Sequence, residues 1–149
     1  MAVPPPRDLP TRLADSRARL AEDRDCWVAT AGPQGPWMIP LSFLWTADAL
    51  VLATDRDSRV VKDLLAQPVV RVGVGSTRDV VIVHGRATVL EPGEVDEAIW
   101  EAYAHKLGSD PRSWADAAVL VTPERIQAWR EENELQGRDL MEGGRWLGD

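Results

Sequence analysis

The segment LATDRDSRVVKDL, residues 52–64, brings two hydroxyls and two cations close together: Thr54, Ser58, Arg59 and Lys62. An apolar run ends at Thr54, and the spacing of Val60, Val61, Leu64 and Leu65 beyond it is helical. A helix N-terminus offers unpaired backbone N–H groups and a partial positive charge, which suits an anion. If the helix begins near Ser58, that hydroxyl and the first amides point the same way as the Arg59 and Lys62 side chains, and Thr54 adds a second hydroxyl. Such a set matches a phosphate monoester: cations for charge-assisted bonds, neutral donors for orientation. The same residues also allow a plainer arrangement, in which Asp55 or Asp57 caps the helix and Arg59 and Lys62 are solvated charges.

Little else in the chain carries conventional chemistry. Cys26 precedes Trp27 in an apolar run and is expected to be a buried small hydrophobe. The two histidines fall on a strand (His84) and a helix (His105), and each is expected to be structural or surface-bound rather than a proton shuttle. No CxxC or HExxH spacing is present, so no metal site is expected, and no residue stands out as a catalytic acid or base.

The elements that must position the segment can be read along the chain. A helix is expected over residues 11–22, with Leu9, Leu13 and Leu20 near one face and Thr11 as its cap. Two apolar runs joined by the turn PQG predict a hairpin from Cys26 onward, and ALVLAT (49–54) predicts a third strand. The helix over 57–66 is stopped by Pro68, and strands follow over 69–75 and 78–90. Gly85, in the middle of the second of these, marks a bulge or a close backbone approach. GEVDEAIWEAYAHKLG puts Val95, Ile99, Tyr103 and Leu107 on one helical stripe that ends at Gly108. Residues 117–129 read as one strand or two, interrupted at Pro123, and the tail as a small hairpin turned at Gly143 and Gly144. Six or so strands with two or three helices do not alternate as βαβ units. They predict a mostly antiparallel barrel or sandwich with helical decorations.

At 149 residues, 44% apolar and 28% charged, the chain suits one globular domain over 1–149, with the proline-rich residues 1–10 as a flexible leader. A formal charge of −7 gives no footprint for nucleic acid or an anionic membrane. No run approaches the roughly 18 apolar residues of a membrane span, and MAVPPPRDLP lacks the basic start and apolar core of a secretion signal. A cytoplasmic protein is expected. Seven tryptophans against one tyrosine and one phenylalanine suit wide interfaces and flat ligands.

In their order and spacing, WMIPLSFLW, LATDRDSRVVKDL, VVIVHGRATVL and RIQAWREENELQGRDLM resemble the pyridoxamine 5′-phosphate oxidase-like family, the flavin- and deazaflavin-binding split barrels. The resemblance spans about residues 27–147 and implies a mostly β fold, a six-stranded antiparallel split β-barrel of the FMN-binding type. It implies that Ala53, Thr54, Ser58, Arg59 and Lys62 hold the cofactor phosphate. It also implies that Ile39, Pro40, Leu41 and Ser42 lie along the flavin ring, and that Trp129 and, less directly, Arg138 reach the flavin of a partner subunit. Two departures stand out. The family's oxidase has an Arg-Lys pair at the helix start where this chain has Arg59-Val60, and its substrate-gripping Arg-Leu-His reads Glu134-Leu135-Gln136 here. The resemblance therefore points away from a vitamin B6 oxidase. It implies a homodimeric oxidoreductase that binds FMN, or alternatively a deazaflavin coenzyme, between subunits and passes hydride to or from a small-molecule substrate. The alternatives are a carrier that binds flavin or haem without turnover, and a barrel without ligand that serves as an interaction module.

Overall fold

The computed structural model describes residues 2–148. The elements run α1 (Leu9–Glu22), β1 (Asp25–Gly32), β2 (Gly35–Ser42), β3 (Leu44–Thr46), β4 (Ala49–Thr54), α2 (Arg59–Ala66), β5 (Val69–Ser76), β6 (Asp79–Leu90), α3 (Glu97–Leu107), β7 (Ala117–Trp129), β8 (Asp139–Glu142) and β9 (Arg145–Trp146). All strand pairs are antiparallel, in the order β2-β1-β5-β6-β7-β4-β3, with β8 and β9 attached to the far end of β7. The expected mostly β, split-barrel class is therefore the observed one. Six strands of six residues or more form the barrel, and three short ones, β3, β8 and β9, extend it.

Period-two alternation decides which face turns inward. Cys26, Val28 and Thr30 of β1 are buried while Trp27 between them is 49% exposed. The barrel interior is mainly β-branched, with Val70, Val72, Val74, Val81, Val83, Val119 and Val121 packed under Leu50, Leu52 and Ile126. Each such side chain contributes about 1.5–3 kcal/mol through its burial. A second apolar cluster lies between α3 and the β4/β7 pair, built on Trp100, Tyr103, Val51, Ala53 and Ala118.

Several local expectations are corrected. Helix α1 begins at Leu9 and is capped by Asp8, which accepts from the Thr11 N–H, so Thr11 is not the cap. Pro10 is tolerated in the first turn because its missing N–H would have no partner there. Its buried face is Arg12, Leu13, Ser16 and Leu20, whereas Leu9 is 37% exposed. Strand β7 runs unbroken through Pro123, because β4 pairs with it only as far as Val121 and β8 only from Ile126. The proline falls in the gap where no neighbour on that side needs its N–H. Opposite it is Gly85, where the expected bulge and the expected close approach are both found: the β6–β7 register shifts between His84 and Gly85, and an added Cβ would meet the Thr122 carbonyl oxygen at 2.6 Å. The proline-rich leader is in contact with the barrel: the Pro4 carbonyl accepts from Asn133 Nδ2 at 2.9 Å, and Arg7 Nη2 is 2.8 Å from Glu134 Oε1.

Candidate functional site

Of the capping choices at the start of α2, the chain uses Ser58. Its hydroxyl accepts from the Val61 N–H at 3.3 Å, and its own N–H donates to the Asp55 carbonyl at 3.0 Å. Asp55 and Asp57 do not cap and are exposed. Thr54, 7% exposed, ends β4 opposite Ala117. Arg56 turns away, its N–H held by Asp116 and its guanidinium paired with Glu91.

Arg59 and Lys62 line one cavity of about 390 Å³ with Pro33, Gln34, Asp57 and Asp63, between the first turn of α2 and the β1–β2 turn. Thr54 and Ser58 stand beside this cavity and not in its wall. The Arg59 guanidinium stacks over Trp37 with Cζ 4.4 Å from the ring centroid, and Nη2 donates to the Gly35 carbonyl at 3.4 Å. Its Nε lies 3.6 Å from Asp63 Oδ2 but is buried without a hydrogen-bond acceptor. A stacked guanidinium with one orphaned N–H beside an exposed lysine fits an anionic oxygen.

Asp63 is the feature of this corner that pattern reasoning missed. It is 4% exposed, accepts from Thr30 Oγ1 at 2.8 Å and faces Gly32, where an added Cβ would fall 1.8 Å from its Oδ1. The sequence signal was an acid on the helical face that also buries Val60 and Leu64, opposite a strand-end glycine.

Ile39, Pro40, Leu41 and Ser42 form the last half of β2, which pairs only with β1. One edge of β2 is therefore open, which is where a proline is tolerated. β2 and β4 are in contact, and the Ser42 end of β2 is linked to Ala53 of β4 through one side chain. The Ser42 carbonyl and hydroxyl are both engaged by the Tyr103 hydroxyl, at 2.9 and 3.1 Å, and the Ala53 N–H donates to that same oxygen at 3.3 Å. The sequence placed Tyr103 only on a helical stripe, and nothing in its spacing pointed at β2 or β4.

Trp129 and Arg138 are brought together elsewhere. Arg138 Cζ is 5.8 Å from the Trp129 ring centroid, at the end of β7 opposite to Ala117, the partner of Thr54. Twelve residues of β7 separate the two ends (117 to 129), about 40 Å of strand. One chain therefore does not gather them with Arg59 and Lys62. Their loop is fixed from α1: Arg12 Nη1 donates to the carbonyls of Ala128, Glu134 and Gly137 at 3.2, 3.0 and 3.0 Å, and Arg7 clasps the Glu134 carboxylate. The hydrogen bonds from Arg7 hold Glu134 down at about 2. Glu134, which stands where the resemblance has a substrate-gripping arginine, is thus spent within the fold.

The other titratable candidates are also engaged. Burial pushes the Cys26 thiol up to about 12, and Sγ sits 3.3 Å from the Leu41 carbonyl. His84 is half-buried with Nε2 3.2 Å from Gln127 Oε1, and burial and then Arg71 lower its pKa. His105 is exposed on α3. Among the described residues no group of three or more His, Cys, Asp or Glu could hold a metal ion, and no helix is long and apolar enough to cross a membrane.

A family model described as pyridoxamine 5′-phosphate oxidase matches residues 14–130. No curated protein matches the chain. Among solved structures, it is similar to a FAD-binding protein from Mesorhizobium loti, with TM-score 0.62 and 20% identity, covering 78% of this chain and 90% of that one. It is similar to an F420 reductase at TM-score 0.62 and 16% identity, covering 74% and 94%. It is also similar to a haem binding protein from Mycobacterium smegmatis at TM-score 0.69 and 17% identity, covering 96% of this chain but 60% of that one. At these identities the likeness is one of fold.

Proposed function

The chain belongs to the pyridoxamine 5′-phosphate oxidase family, and from that premise we propose that it is an oxidoreductase binding FMN, or alternatively a deazaflavin coenzyme, at the interface of a homodimer. The observation that carries the proposal is Arg59: stacked on Trp37, facing a cavity shared with Lys62, with a buried Nε lacking a hydrogen-bond acceptor. These two cations would hold the cofactor phosphate, with Thr54 and Ser58 supplying hydroxyls and Ala53 backbone at its side. The open edge of β2, Ile39 to Ser42, would lie along the ring.

When bound, such a ring accepts and returns a hydride, and the protein supplies binding, orientation and exclusion of water. The candidate side chains fit that division of labour: Arg59 and Lys62 neutralise an anion, and Ile39 and Leu41 offer apolar bulk with backbone groups. Burial pushes Cys26 and Tyr103 up to about 12, so both are neutral at neutral pH. A second subunit would bring its own Trp129 and Arg138 to the ring, which one chain keeps at the other end of β7. Trp27 and Met38, 49% and 61% exposed on neighbouring strands, give that subunit an apolar surface to cover. The substrate would be a small molecule reaching the ring between subunits, and a cytoplasmic location accords with this chemistry.

The F420 reductase and haem binding protein similar in fold define the competing ligands. Titration of the purified protein with FMN, deazaflavin and haem, followed by tryptophan quenching, separates them. Two charge-assisted bonds at about 1.5–3 kcal/mol each imply roughly a hundredfold or larger loss of FMN affinity in the double variant Arg59→Ala/Lys62→Ala. Undiminished affinity in that variant would put the phosphate elsewhere. Light scattering that returned the monomer mass of 16.5 kDa would remove the two-subunit site.

A further inference from the structure

The chain leaves β2 and enters β3 through a single residue, Phe43, and in doing so changes partners from β1 to β4. Leu44 pairs with Val51, so the register carried two residues further would pair Ser42 with Ala53. That pair does not form. The Tyr103 hydroxyl stands in its place, donating to the Ser42 carbonyl at 2.9 Å while accepting from the Ala53 N–H at 3.3 Å. Ser42 Oγ, 3.1 Å away, fills the remaining lone pair as a donor. All the capacity of the hydroxyl is used, which is what a buried polar group requires.

The rest of the partner change is held in the same way. The Phe43 N–H donates to the Arg24 carbonyl at 3.1 Å, and the Phe43 carbonyl accepts from Lys106 Nζ at 2.9 Å, with the ammonium 3.9 Å from the Phe43 ring centroid. Tyr103 and Lys106 lie one turn apart on α3, whose Trp100 stacks on Tyr103 with centroids 6.2 Å apart. Tyr103 is fully buried and its ring is anchored in the cluster under α3, so the hydroxyl is delivered at a fixed depth. Burial pushes the phenol up to about 12, so it is a neutral donor throughout the physiological range.

We propose that Tyr103 is a positioning residue: its hydroxyl is wedged between Ser42 and Ala53 and keeps the β2 and β4 edges from pairing, so that Ile39–Leu41 and Thr54 remain free to take a planar cofactor ring between them. This rests on the cofactor reading given above and adds what keeps the site open. Without the hydroxyl, the Ala53 N–H and the Ser42 carbonyl are left facing each other with complementary needs. The register set by Leu44 and Val51 then lets them pair directly and join the two strand edges from Ser42 and Ala53 outward.

The test is Tyr103→Phe, which keeps the ring and its packing. Crystal structures of wild type and variant should show the Ser42 O to Ala53 N separation falling to about 3 Å, a direct hydrogen bond. The Kd for FMN should rise at least tenfold, while inorganic phosphate competes for the residual FMN binding at the wild-type concentration, because the Arg59 and Lys62 corner is untouched. A variant with unchanged strand separation, whether a water takes the place of the hydroxyl or not, overturns the proposal. So does unchanged FMN affinity. If wild type itself binds no FMN, the cofactor reading falls, and the strand separation still decides the role of the wedge. Should the variant not fold, Tyr103 is the single tyrosine of the chain, and wild type labelled with 3-fluorotyrosine gives one fluorine resonance. Saturating FMN must shift it, and a resonance that does not move counts against the wedge.

Discussion

Two ends of the barrel use a buried polar side chain against backbone, with opposite results. At one end Arg12, 3% exposed, draws the carbonyls of Ala128, Glu134 and Gly137 together and pins the loop after β7 to α1. At the other, Tyr103, 0% exposed, stands between two strands that would otherwise pair. A charged fork with several donors closes a loop; a single neutral hydroxyl makes a spacer. The first end should therefore fail by losing stability, the second by losing binding.

The largest expected effect is at the closed end. Arg12→Ala strands three carbonyls and leaves the Glu134 carboxylate with less compensation, at a cost of about 3–5 kcal/mol. Thermal unfolding should fall by roughly 10 °C, and a shift of only a degree or two would erase the distinction between the ends. Acid attacks the same end. Glu134 sits at about 2 against an ordinary 4.5, so its stabilisation is complete above pH 4.5 and is lost as pH falls towards 2. Urea midpoints measured from pH 5 to 2.5 should drop, and Glu134→Gln should flatten the drop while lowering stability at neutral pH.

At the open end the stability effects are smaller. Gly32→Ala would drive a methyl to within 1.8 Å of Asp63 Oδ1 and force that carboxylate off Thr30. Denaturant unfolding should register about 1–3 kcal/mol, together with weaker FMN binding as Arg59 loses its neighbour. Tyr103→Phe should cost about 1–2 kcal/mol, less than Arg12→Ala, while its effect on FMN is the larger of the two. Arg59→Ala/Lys62→Ala should lower the urea midpoint modestly, through Arg59 alone, which stacks on Trp37 and lies 3.6 Å from the buried Asp63 carboxylate, whereas Lys62 is exposed.

What the sequence made legible follows the same division. The six long strands could be read because alternation is a local signal, and α2 with its hydroxyl and cations because helix starts have local chemistry. Ser58 was placed at the helix start, and the structure decides for it against Asp55 and Asp57 as the cap. The Asp8 cap was hidden because Pro10 looked like a boundary rather than a first-turn residue. Tyr103, Asp63 and Arg12 were not recognisable, since each acts on backbone or side chains far away in sequence. Trp129 and Arg138 were each named only through the resemblance; their proximity to one another and their separation from Arg59 within one chain depend on the length of β7 and the loop after it.

The most direct measurement is a parallel titration of the wild-type protein with FMN and with riboflavin, which carry the same ring and differ in the phosphate. If Arg59 and Lys62 grip that phosphate, FMN binds at least a hundredfold more tightly than riboflavin, and raising the salt concentration narrows the gap. Equal affinities for the two would contradict a phosphate site at the start of α2.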